Sequence, residues 1–135
     1  MTRKPITKEM KDIVVKEAKE LLIEINVKLF GKVNNLPEVF AKLGGYTGAY
    51  YRNEHKIGIH YYVWKRLSLA SKRLLMIHEN LHALGKHHSG VKNYSNVLDL
   101  VSMRMYLKIY GEDQEWKKMI NDIDLEIDKI IKKGE

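Results

Sequence analysis

Apolar residues in the first third of the chain recur at three- and four-residue steps: Met10, Val14, Ala18, Leu21, Ile25 and Leu29, with Lys and Glu between them. That spacing places them on one face of an α-helix, so a long amphipathic helix is expected, running to Gly31. Thr7 stands where an N-cap belongs, and Glu9 and Asp12 sit in or near the first turn. A short helical turn is expected around Val39, Phe40 and Leu43, entered at Pro37 and stopped by Gly44 and Gly45. From Tyr46 to Trp64 aromatic and β-branched residues flank the polar stretch 52–56, the pattern of a β-hairpin.

A second helical stripe, Leu74, Ile77, Leu81 and Leu84, defines a helix over about residues 69–84 that Ser68 or Ser71 can cap. Small and polar residues between Ser89 and Asn96 read as a loop. Two C-terminal helices follow, one carrying Val97, Val101, Met105 and Ile109, the other Trp116, Ile120, Ile123, Ile127 and Ile130. The order of elements predicts one α+β domain over residues 1–135 with a small antiparallel or mixed sheet.

Composition narrows the class. A chain of 135 residues with 44% hydrophobic and 30% charged residues suits one ordinary hydrophobic core. No apolar run approaches the roughly 20 residues that span a bilayer, so no membrane partner is expected. The first residues are basic but lead into a charged helix pattern rather than a signal-peptide core, which points to a cytoplasmic protein. Cysteine is absent, which excludes disulfides and thiolate ligands and leaves histidines and carboxylates for any metal binding. The net charge of +7 admits an acidic partner, nucleic acid included. Yet Lys8, Lys11, Lys16, Lys19 and Lys28 are interleaved with Glu9, Asp12, Glu17, Glu20 and Glu24, which describes a solvated helix face better than a nucleic-acid stripe. Nothing in these features fixes an oligomeric state.

The chemistry concentrates in residues 78–88, His-Glu-Asn-Leu-His-Ala-Leu-Gly-Lys-His-His, which fit HExxHxxGxxH. His78 and His82 are four apart and therefore lie one turn apart on the same helix face, where both imidazoles can reach one ion. Gly85 accepts positive φ without a side-chain penalty, so it can turn the chain and bring His88 round as a third nitrogen ligand. Three imidazoles leave the fourth tetrahedral position of one Zn²⁺ open to water, as in catalytic rather than sealed sites. Glu79 lies about 100° round the helix from His78, so its carboxylate can miss the metal and act on the water as general base and acid. If His88 were not a ligand, a later carboxylate such as Asp99 would become the candidate for third place. His87, adjacent to His88 and out of register with it, reads as a solvent contact, and His55 and His60 read as ordinary polar positions in the hairpin.

This segment resembles the zinc motif of the metzincin metallopeptidases, and the short chain is closer to the minimal soluble peptidases of archaea than to larger members. The resemblance implies hydrolysis of peptide or protein substrates, with His78, His82 and His88 on zinc and Glu79 handling the proton. It also implies a methionine beneath the metal, for which Met103 is a candidate and Met105 the alternative, although both fall in a segment that reads helical. Substrate would lie extended along an edge strand, here expected at Ile57 to Tyr61, which gives affinity with broad or weak specificity. Tyr94, Tyr106, His87 and the hairpin tyrosines are all candidates for a donor to the developing oxyanion, and the sequence does not choose among them.

The same residues are also similar to the bacterial endoribonucleases that process ribosomal RNA with HGxLHxxGxxH. Leu81, Gly85 and the three histidines match, and Glu79 departs from the glycine of that pattern. A carboxylate there repels an anionic phosphodiester, which favours the peptidase expectation. A third expectation is a basic interaction module that keeps a zinc fold without catalysis.

Overall fold

The computed structural model describes residues 5–33, 35–85, 94–111 and 115–134, and of these every side chain except those at 94–97, 115, 116, 131, 133 and 134. The chain opens with α1 (Lys8–Phe30). Its N-cap is Thr7, whose hydroxyl accepts from the Met10 N–H at 3.2 Å, and it ends at Gly31, which takes the left-handed conformation (φ 74°) and donates to the Val27 carbonyl. Val14, Ala18, Leu21 and Ile25 of the expected stripe are buried, together with Leu22. Removing the cap tests this reading of the helix start: Thr7→Ala is expected to cost about 1 kcal/mol, seen as a lower urea midpoint at unchanged m-value.

Three strands follow, β1 (Glu38–Lys42), β2 (Gly48–Tyr51) and β3 (Lys56–His60), in the order β1-β3-β2. β1 runs parallel to β3 with Val39 opposite Ile57, and β2 runs antiparallel to β3 with Tyr50 opposite the same Ile57. The hairpin of the sequence reading is therefore present as β2 and β3, but it is shorter than 46–64. Tyr61–Arg66 form a short helix, α2, whose first turn is capped by His60: Nδ1 accepts from the Val63 N–H at 3.4 Å.

Two further expectations are corrected. Residues 38–42 are a strand rather than a helical turn. Val39 is buried while Glu38 and Phe40 on either side are exposed, a period of two that pairing with β3 rewards, whereas a five-residue segment offers little to offset helix nucleation. That extra strand makes β3 central. Ile57 to Tyr61 consequently cannot receive a substrate strand: β3 is hydrogen-bonded on both sides, Ile57 and Ile59 are fully buried, and Tyr61 already belongs to α2. The edge on this side of the sheet is β2.

The rest is helical: α3 (Leu69–Ala83), α4 (Tyr94–Tyr110) and α5 (Glu115–Gly134). Ser68 caps α3, its hydroxyl accepting from Ser71 N–H. α1 and α3 pack on each other and against the sheet, and α4 lies between α3 and α5. The core joins Leu22 and Ile25 of α1, Ile57 and Ile59 of β3, Trp64 of α2, and Met76 and Ile77 of α3. Trp64 keeps its indole N–H satisfied by donating to Glu17 Oε1 at 2.9 Å, as a buried indole requires. Inside the core a pair of amides locks the register of α3 on α1. Asn26 Nδ2 donates to Asn80 Oδ1 at 3.2 Å and to the Leu22 carbonyl at 2.8 Å. Among the described residues no helix is long and apolar enough to cross a membrane.

Candidate metal centre

α3 carries its apolar stripe inward, with Met76, Ile77 and Leu81 buried, so the residues one step round from the stripe face the gap between α3, β2 and α4. His78 and His82 lie there, one turn apart. Their rings are 4.9 Å apart between centroids and nearly perpendicular, and their Nε2 atoms approach to 3.2 Å. Both nitrogens thus address the same point in space.

Glu79 is beside them and only 3% exposed. Its Oε1 is 3.9 Å from His78 Nε2, and among the described residues its Oε2 has no hydrogen-bond partner. A buried carboxylate oxygen left unpaired is costly unless a cation or a water completes it. Burial pushes the Glu79 carboxyl up to about 7, an effect partly opposed by the positive charge of Lys42. One ligand atom from each of His78, Glu79 and His82 falls within 4.8 Å of the others, so this group can hold a metal ion. Two borderline nitrogens and a hard oxygen are a donor set that first-row divalent ions accept.

α4 supplies what stands behind the first histidine. Asp99 Oδ1 is 3.3 Å and Ser102 Oγ 3.4 Å from His78 Nδ1. The Ser102 hydroxyl donates its one hydrogen to the Leu98 carbonyl at 2.8 Å, so toward the imidazole it can only accept. Both of these neighbours of Nδ1 are then acceptors. The proton of the neutral ring belongs on Nδ1, and the lone pair of Nε2 is turned toward His82. Asp99, the alternative third ligand of the sequence reading, is placed at the rear of His78 rather than at the convergence point.

Two glycines shape the surroundings. β2 comes so close to α3 that a Cβ on Gly48 would lie 2.8 Å from Leu75 Cδ1 and 3.4 Å from Glu79 Cγ. Gly85 takes φ 97°, the left-handed turn expected of it, immediately after α3 ends. His88, with His87, lies outside the described residues, so the third nitrogen stays an expectation. The same holds for the Tyr94 side chain.

The remaining candidates separate. Met103 borders the cavity that His78, Glu79 and Asp99 line, whereas Met105 packs against the core. Both are in the body of α4, not in a turn. Tyr106 packs at a tilt against Tyr110 with centroids 5.3 Å apart and lines an apolar cavity beside Leu74, away from the histidines. Of the hairpin tyrosines, Tyr46 and Tyr50 do border the site. The Tyr50 hydroxyl is engaged with His55 Nδ1 at 2.7 Å, and His55 Nε2 reaches the Asn35 carbonyl at 2.7 Å, so His55 serves the turn. Arg52, which sequence reasoning passed over as hairpin-turn polarity, lines the same cavity as His78, Glu79 and His82.

Comparison with protein-family models, with curated proteins and with solved structures returns no match to this chain.

Proposed function

We propose that this chain is a metal-dependent hydrolase of peptide bonds, with Zn²⁺ as the ion and peptides or proteins as substrates in the cytoplasm. The observation that carries the reading is the approach of two imidazole nitrogens to 3.2 Å beside a buried carboxylate oxygen that lacks a hydrogen-bond partner among the described residues. His78 and His82 would hold the ion, with His88 as the third ligand that the motif spacing implies. When bound, such an ion supplies Lewis-acid chemistry, polarising a carbonyl and making water acidic enough to lose a proton near neutral pH.

The protein's own groups do the rest. Glu79 takes the proton from water and delivers it to the leaving amine. Its burial between β2 and α3 keeps bulk water from competing for that proton. β2 offers the backbone of an edge strand along the cavity, at Gly48, Ala49 and Tyr50, where an extended peptide can pair without strong demands on its side chains. Tyr46, mostly exposed and bordering the cavities on both sides of Glu79, is the best placed tyrosine to steady the oxyanion.

The test is chelation and reconstitution of the purified chain, read on casein and on structured RNA. Casein cleavage should vanish with the chelator and return with added zinc, with RNA left intact. Cleavage of RNA without casein would instead make the chain a nuclease. A fully loaded protein that cuts neither would be an interaction module.

A further inference from the structure

Two cavities flank the His78–Glu79 pair and share Tyr46, Gly48, His78 and Glu79 as a common wall. They differ in chemistry. The first, about 510 Å³, contains His82 and ends at Arg52 in the turn after β2. The Arg52 side chain forms no ion pair among the described residues, although Glu54 is two positions away. A guanidinium offers a planar fork of donors that a carboxylate fits with two parallel hydrogen bonds.

The second cavity, about 480 Å³, is walled by Leu67, Leu74, Leu75 and Met103. Through Leu74 and Met103 it continues into a third of about 420 Å³, between α3, α4 and α5, where Leu107, Met119 and Ile123 are added. Met103 and Met119 are about half exposed, so the trough presents apolar surface to water directly beside the metal centre. Met is a flexible lining that adapts to apolar groups of varied shape.

We propose that the substrate is a bipolar peptide, with a carboxylate held by Arg52 on one side of the scissile bond and a bulky apolar side chain seated in the Leu74–Met103 trough on the other. The proposal deepens the peptidase reading and rests on it. It narrows the broad specificity that strand pairing alone would give.

A matched set of quenched peptides tests it on the zinc-loaded full chain. On one side of the cleavable bond the set varies Glu, Gln and Lys, with free and amidated C-termini. On the other side it varies Phe, Leu and Ala. Acidic peptides should be preferred about tenfold or more in kcat/KM, mainly through KM, and large apolar residues over Ala by a similar factor. Comparison of the free and amidated series tells whether the carboxylate is a side chain or the chain terminus, and either answer supports the proposal. Arg52→Gln should erase the preference for acid and Arg52→Glu should shift it toward Lys. The same order should appear as binding anisotropy with the Glu79→Gln chain, where no turnover intervenes. Equal rates on Glu, Gln and Lys peptides would overturn the carboxylate half while leaving the peptidase reading intact. If Met119→Glu alters self-association but not the preference for Phe, the trough is a contact face between copies and the apolar half falls. Failure to cut any peptide at full metal content would take down both readings together.

Discussion

Glu79→Gln is expected to lower peptide hydrolysis by about 10²–10⁴-fold, the usual contribution of a positioned general base, with metal content unchanged. Glutamine has the size of the side chain it replaces, so the close approach of β2 at Gly48 is undisturbed. What is lost is the carboxylate, with its charge and its capacity to take up and release a proton. Elemental analysis and thermal melting of the variant should match the parent, and the activity alone should fall. Two results would sink the assignment. Activity within a few fold of the parent would place the proton-handling group elsewhere. Loss of the metal together with the activity would make Glu79 a ligand, which its 3.9 Å distance from His78 Nε2 also permits.

The parts of the site that were legible in the sequence are those whose geometry is local. His78, Glu79 and His82 lie within five consecutive residues of one helix, so 3.6 residues per turn is enough to bring them together. Gly85 was legible for the same reason: a helix end that needs positive φ calls for glycine. The long α1, the helix over residues 69–83 and the C-terminal helices were legible from period alone. The errors arose where a partner distant in sequence decides. Residues 38–42 carry no strong preference of their own, and it is pairing with β3, some eighteen residues on, that makes them a strand. Once β1 is in place, β3 is enclosed and β2 becomes the edge, so one missed strand also moved the expected substrate path. Arg52 and Ser102 went unnoticed because nothing in their neighbourhoods announces that the turn after β2 and the face of α4 converge on α3. A polar residue such as Ser102 at a buried position of an otherwise apolar helix face was the only available signal.

Asp99 gives the second large effect. Asp99→Ala is expected to weaken metal binding by about 10–100-fold, the usual loss when the group behind a metal-bound histidine is removed. The reason lies in the tautomer. His78 can present the Nε2 lone pair toward His82 only while its proton stays on Nδ1, and Asp99 and Ser102 stand as acceptors at that atom, at 3.3 and 3.4 Å. A carboxylate also makes the imidazole a stronger donor to a cation, which a neutral hydroxyl does less well. Asp99→Asn, which keeps an acceptor but drops the charge, should therefore fall between the parent and the alanine variant. Ser102→Ala should cost less than Asp99→Ala, and the double variant more than the two costs combined, because only then is Nδ1 left without either acceptor. The measurement is competition for zinc against a chelator of known affinity, supported by the imidazole nitrogen shifts of His78 in the metal-free chain. Those shifts should report a proton on Nδ1 in the parent and a mixture of tautomers in the double variant. Asp99 is about two-thirds exposed, so loss of folding is not expected to intervene, and melting temperatures should stay close to that of the parent. Unchanged zinc affinity in Asp99→Ala would mean that His78 is oriented by packing alone. Complete loss of zinc in that variant, with His88→Ala fully loaded, would instead make Asp99 the third ligand.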